Sequence, residues 1–351
     1  MSISTASESR PSTPRIRRRI GLEVGGGRLR FALPRDAKGR FTLGTLSLEA
    51  PDGTWDVPAL RARLRRAGLP SGPAVCSLVS PTVDIFPLQL HPGEPEALEA
   101  QVVAQAQAQI SYPLASAVLD YVPLPASARR PVSTTVPVLV YAAPLNPITT
   151  LLQHLEAVGL CVERLLTPAG VLAPRVGASE GGARCLLVAT GEEATSVSVV
   201  QHGAVLLERL LPWGVQALVQ RLHTELNLPL EQCRALLDAD PAAASSGGDD
   251  LALDGTLHGI LGPIHRAFAS EMRGCLGYCD SFLHHEPVAA VILCGPLQGN
   301  RFLDEVLARE LELPVVRAAQ GLDLPASAQH PEAGLYATAI CGALLPEEAA
   351  G

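Results

Sequence analysis

Twice along this chain a buried strand runs into a glycine turn and doubles back. The first instance is IGLEVGG followed by RLRFALP, with Gly25, Gly26 and Gly27 at the turn, and FTLGTLSLE extends it into a meander. The second is ARCLLVATG followed by ATSVSVVQHG and AVLLERLLP, with Gly191 after the first strand. Apolar strands of this kind must be covered by other elements. A theme that recurs after a long interval therefore constrains the chain to two related halves, each opened by a meander.

The intervening segments supply the cover. Residues 56–68 predict a short helix with Asp56 as N-cap and Gly68 as stop, and PAVCSLVS and IFPLQL predict strands. In 94–111, Leu98, Val102, Val103, Ala106 and Ile110 recur at helical spacing on one face. SYPLASAVLDYVPLP leads into the strand VPVLVYAA, and 147–158 predict a helix ending at Gly159. The loop VGASEGGA (176–183) marks the boundary between halves. After the second meander come a helix at 215–226, a low-complexity loop at 239–250 and an amphipathic helix over about 254–284. The strand VAAVILCG, a helix at 301–311, the strand LPVVRAA and a helix at 332–345 complete the order. The expected architecture is α/β. A first lobe spans 20–182 and a second spans 183–346. Tails lie at 1–19 and 347–351.

Apolar residues are 47 % of the chain and charged residues 18 %, below the roughly 25 % of ordinary soluble proteins. A large core is therefore expected. Residues 1–19 carry Arg10, Arg15, Arg17, Arg18 and Arg19 against Glu8, a balance of +4, so a net charge of −8 leaves −12 on the remainder. Such an acidic body repels phosphates and argues against nucleic-acid binding. The basic tail reads either as a solvated leader or as a segment drawn to anionic lipid, at roughly 1 kcal/mol per basic residue. No stretch reaches the roughly 18 apolar residues of a membrane span, and no signal-peptide core opens the chain. Among eight cysteines, Cys76, Cys161, Cys185, Cys294 and Cys341 sit between apolar neighbours and read as reduced, buried thiols of the cytosol.

Several segments resemble the type IV pilus assembly PilM family, a branch of the actin-like ATPases related to FtsA. IGLEVGGGRLR (20–30) is similar to the family's first strand and phosphate turn, IGxDIGSSSVK. QAQISYPLASAVLDY (107–121) is similar to its Tyr/Phe-Pro step and Asp-Tyr run, and 138–160 to its strand and helix ending in Ala-Gly-Leu. Residues 186–203 occupy the second phosphate turn, and EMRGCLGYC (271–279) resembles the Glu-Ile-Arg-Arg-Ser-Leu helix. Residues 290–315 resemble the adenosine turn with its helix and strand, and 334–344 the closing helix.

The resemblance implies a two-lobed actin-like, ribonuclease H-like fold, with an insertion subdomain at about 82–145 in the first lobe and a variable subdomain at about 215–260 in the second, that binds ATP with magnesium between its lobes, phosphates against the glycine turns and acidic residues holding the metal. Mapped onto this sequence, the cofactor-binding positions are Glu23, Gly25, Gly26, Gly27, Arg30, Gly191, Thr195, Glu271 and Gly295. The chain departs from the pattern at three of the family's positions. Glu23 is one methylene longer than the usual Asp, Ala189 stands where the second acid belongs, and Pro296 follows Gly295 where a second glycine is usual. Proline lacks an N–H and fixes φ. Nucleotide binding is thus weakened and the hydrolytic metal site lost, so no catalytic residue is assigned. The implied role is a cytoplasmic adaptor, peripheral to the inner membrane, in a type IV pilus or type II secretion platform. Its partners would be the tail of a PilN-like membrane protein and other platform subunits, with Tyr112 and Pro113 near the groove for the tail. The alternatives are a working ATPase and a small-molecule kinase of the same superfamily, with Asp84 or Asp120 as its acid.

Other constellations carry less. Gly177–Gly181 matches G-x-S-x-G, but a helix precedes it and a strand follows, the reverse of a nucleophile turn. Cys275 and Cys279 with His284 and His285 have a spacing that zinc accepts, yet apolar neighbours favour a core. His202, His223, His258 and His265 show no partner pattern and read as surface or satisfied residues. Lys38, the only lysine, is followed by Gly39, so a P-loop is excluded.

Overall fold

The structure, a computed structural model, describes residues 19–35, 40–48, 55–128, 134–176, 182–238, 248–283, 286–325 and 333–346. Residues 1–18 and 347–351 of the expected tails, the G-x-S-x-G segment, most of the low-complexity loop, and His284 and His285 lie outside these residues, whereas Arg19, expected in the first tail, is buried and paired with Glu163 at 2.8 Å.

The chain opens with β1 (Ile20–Gly25), β2 (Arg28–Pro34), β3 (Phe41–Ser47), α1 (Val57–Arg66) and β4 (Gly72–Leu78). It continues through β5 (Asp84–Leu90), α2 (Pro95–Ala106), β6 (Ala117–Pro123), β7 (Val136–Pro144), α3 (Leu145–Ala157), β8 (Leu160–Leu166) and α4 (Pro168–Leu172). The second half comprises β9 (Arg184–Thr190), β10 (Thr195–Gln201), β11 (Ala204–Leu211), α5 (Val215–Leu226), α6 (Leu230–Asp238) and α7 (Gly248–Phe282). It closes with β12 (Val288–Cys294), α8 (Arg301–Leu311), β13 (Val315–Arg317), α9 (Ala318–Gly321) and α10 (Ala337–Ala343).

The two halves build the same sheet. The first is ordered β3-β2-β1-β4-β8 and the second β11-β10-β9-β12-β13. In each, the meander is antiparallel and the last two strands join in parallel. Parallel pairing needs crossover connections, and α3 and α8 supply the last one in each lobe. The insertion between β4 and α3 forms its own sheet, β5-β7-β6, whose Leu88, Leu90, Val138 and Val140 pack with Val102 of α2. Leu139, with Leu124 after β6, joins the core of the second lobe.

Two helices tie the halves together. The short helix α4 ends the first lobe and lies between the sheets, against β9, β10 and β11 as well as β4 and β8, while α10 ends the described chain on β1, β2 and β4. Val171, Leu172, Ala339 and Ile340 share one buried cluster with Val75 and Ile292 from the two sheets. At the crossing a Cβ on Gly21 would lie 1.7 Å from the carbonyl oxygen of Ala339. Only glycine lets the helix approach the strand so closely.

Local signals set several boundaries as expected. The Asp56 carboxylate accepts the Ala59 N–H at 2.9 Å, and Gly159 closes α3 with φ +94°. Tertiary packing changed others. The helix expected over 94–111 stops at Ala106 with a turn following, and Val103 points outward at 39 % exposure. The closing helix is limited to α10, and α6 was not anticipated. Cys161 is exposed because β8 is an edge strand, whereas the other cysteines are buried. His265 is fully buried with neither ring nitrogen hydrogen-bonded, contrary to its reading as surface or satisfied. Among the described residues no helix is long and apolar enough to cross a membrane.

Candidate functional site

The β1–β2 turn and the β9–β10 turn face each other across the lobes, and they touch. Gly26 and Gly27 adopt φ of +55° and +68°. A Cβ on Gly26 would fall 2.4 Å from the Cβ of Glu192. Val79, directly after β4, fills the remaining gap. A Cβ on Gly25 would meet its carbonyl oxygen at 2.5 Å, and one on Gly191 would meet its Cγ1 at 2.9 Å.

A buried ion cluster seals this contact. Glu23 lies opposite Arg30 in the β1–β2 ladder and accepts from its Nη1 at 2.5 Å. The Nη2 of Arg30 donates across the cleft to Glu192 Oε1 at 2.5 Å. Arg234 of α6 grips the same carboxylate twice, Nη1 to Oε2 at 2.7 Å and Nη2 to Oε1 at 3.1 Å. Arg28 approaches from the rim at 3.7 Å. The side chains of Glu192 and Arg30 are 1 % and 5 % exposed, so water screens this pair little. Burial pushes the Glu192 carboxyl up, but the Arg234 hydrogen bonds and the charges of Arg30, Arg234 and Arg28 outweigh it and hold it below its ordinary range.

The second turn is also bound to its own lobe. The carbonyls of Gly191 and Glu192 accept the N–H groups of Val215 at 3.1 Å and Gln216 at 2.9 Å, at the start of α5. The Thr195 hydroxyl donates to the Trp213 carbonyl at 2.7 Å. In the loop after β12, the Gly295 N–H donates to Gly334 at 2.8 Å, and a Cβ there would fall 2.0 Å from the Thr190 carbonyl oxygen. Glu271 is exposed on α7, pairs with Arg209 of β11 at 3.4 Å and takes no part in the cluster.

No family model matches the sequence, and no curated protein matches it. Solved structures do. A chain of the PilM–PilN type IV pilus biogenesis complex superposes with a TM-score of 0.73 at 19 % identity, covering 94 % of this chain and 98 % of that one. The ethanolamine utilization protein EutJ from Carboxydothermus hydrogenoformans gives 0.51 at 13 % identity, over 93 % and 89 % of the two chains. The chain has the actin-like fold.

Within the actin-like frame, the structure brings Glu23, Gly25, Gly26, Gly27, Arg30 and Gly191 together at the meeting of the lobes, with Thr195 and Gly295 held in their own strands and loops. Three residues central to the contact escaped the sequence reading. Glu192 carried a signal, an acid directly after Gly191 where a phosphate would otherwise face backbone N–H groups. Arg234 carried none, because it sits on the unanticipated α6. Val79 is one valine among many.

Beside the first turn opens a cavity of about 190 Å³, walled by the Gly25–Gly27 turn, Trp55, Val79, Leu151 and Thr82, with Glu193 at its edge. Trp55 stacks on His154 at 4.8 Å between ring centroids. Tyr112 is beside Asp84, which is two residues beyond Thr82, and burial followed by the Asp84 carboxylate raises its hydroxyl pKa. Pro113 is exposed. Asp120 accepts the Tyr121 N–H at 2.8 Å on the insertion sheet. Cys275 and Cys279 are core residues, and no group of three metal-binding side chains gathers among the described residues.

Proposed function

We propose that this chain is a cytoplasmic adaptor, peripheral to the inner membrane, of a type IV pilus or type II secretion platform. It holds the cytoplasmic tail of a PilN-like membrane protein, contacts other platform subunits and does not hydrolyse ATP. The observation that carries the reading is the Glu192 carboxylate held between Arg30 and Arg234 where the two glycine turns meet. Hydrolysis requires a metal and a phosphate chain between those turns. Here the turns are in contact, the first acid is tied to Arg30, and Ala189 stands at the second acidic position.

The likeness to a chain solved in a PilM–PilN complex supports the partner class. The cavity supports the mode. Its apolar walls and aromatic Trp55 suit an extended tail with apolar side chains, and Glu193 suits a basic residue on that tail. Calorimetry with the cytoplasmic peptide of a PilN-like protein tests this. Binding to the wild type is expected, with at least a tenfold loss in Leu151→Arg or Glu193→Lys. Magnesium-dependent ATP turnover that Glu23→Ala abolishes would overturn the adaptor reading.

A further inference from the structure

We propose that Glu192 is a tethered anion. Its carboxylate occupies, from within the chain, a site that Arg28, Arg30 and Arg234 build for one phosphoryl-type anion, and so holds the lobes closed with no ligand bound.

The guanidinium groups come from both sides of the cleft. Arg28 and Arg30 belong to β2 of the first lobe, and Arg234 belongs to α6 of the second. They converge on one carboxylate at 3.7, 2.5 and 2.7 Å. Arginine presents a planar fork of donors that suits carboxylate and phosphate alike. The supply of donors exceeds what the carboxylate takes. The Nε of Arg30 is buried and has no hydrogen-bond partner among the described residues, while Nη1 and Nη2 are engaged. Glu192 Oε1 is shared by Arg30, Arg234 and Arg28, whereas Oε2 meets only Arg234. A tetrahedral anion would offer more acceptor positions to the same three side chains.

Charge points the same way. Without Glu192, the carboxylates paired with these guanidinium groups among the described residues would be Glu23 and, at 3.4 Å from Arg234, Asp238. A cation excess around the buried Arg30 calls for an anion. Between two lobes, an anion that both sides grip favours the closed arrangement over the open one by its differential contacts. In this chain that anion is covalently part of the second turn, so closure needs no ligand.

The proposal rests on the reading above that the cleft does not turn over ATP, and deepens it. The test is calorimetry with inorganic pyrophosphate and, separately, with ATP, on the wild type and on Glu192→Ala. No binding is expected for the wild type. The variant is expected to gain at least tenfold for both ligands, because the donors that Arg30, Arg234 and Arg28 now turn to Glu192 would be free for phosphoryl oxygens. Circular dichroism establishes that the variant is folded; if it is not, Glu192→Ser, which also vacates the carboxylate's position, is measured in its place and must show the same gain. A gain for neither ligand, a gain for ATP alone, or wild-type binding equal to the variant's overturns the proposal. ATP turnover by the wild type would instead sink the reading beneath it.

Discussion

Arg30 and Glu192 meet at 2.5 Å across the cleft although 162 residues separate them in the chain. The contact joins the second strand of one lobe to the glycine turn of the other. Both side chains are almost wholly buried, so each depends on the other to offset its lost hydration.

Removing one partner leaves buried charge uncompensated. Arg30→Ala strands Glu23 and removes the first lobe's hydrogen bond to Glu192, and a loss of about 3–5 kcal/mol is expected in urea unfolding. The double variant Arg30→Ala/Glu23→Ala should recover part of it, since it removes one stranded carboxylate. A single-variant loss below about 1 kcal/mol would mean the cluster adds nothing to lobe closure.

His265 sets an acid limit. Burial, with His258 near it, pulls its pKa from 6.5 to about 4, so the folded state holds it neutral beneath Trp213. The unfolded chain binds the proton first as pH falls. Stability is therefore complete above pH 6.5 and lost as pH drops toward about 4. The loss should be on the order of 3 kcal/mol. The depressed Glu192 carboxyl adds a further loss of the same sign at lower pH, as it falls through the folded pKa. Urea midpoints measured against pH check this, and His265→Leu should flatten the curve between 6.5 and 4 whatever its absolute stability.

The crossing of α10 over β1 leaves no room for a methyl group at Gly21. Gly21→Ala is expected to destabilise by about 3 kcal/mol or more, the upper end for overpacking. Gly72→Ala, where nothing lies within 4 Å of the added carbon, is the control. Equal melting temperatures for the two variants would contradict the packing described.

Glu208 joins three parts of the molecule. It accepts from Thr167 at 2.6 Å, from Ser196 at 2.7 Å and from the Ala169 N–H at 3.4 Å, and Tyr141 of the insertion sheet adds its hydroxyl. Burial raises its pKa despite those donors. Glu208→Gln turns a donor toward donors, so a loss of about 1–3 kcal/mol is expected in thermal or urea unfolding. An unchanged midpoint would show that the carboxylate does not hold the insertion to the second lobe.

Much of the frame was legible in the residues. Glycine turns after buried strands, the Asp56 cap and the Gly159 stop act over a few positions, and 215–226 carried enough apolar period to mark α5 to the residue. The cleft's glycines and Glu23 could be named from their order along the chain. Val103 misled because its helical spacing matches that of Val102, and only the insertion sheet decides which face is covered.

By itself the sequence determined two meanders of one pattern, and with them two lobes, because turn geometry and strand periodicity depend on near neighbours. The tertiary structure alone decided that α4 lies between the two sheets and α10 crosses to the first lobe, that Val79 and Glu192 fill the space between the turns, and that Arg234 reaches them from α6. Those outcomes depend on which distant groups share a buried volume and must satisfy one another's charge. No short stretch of residues encodes that.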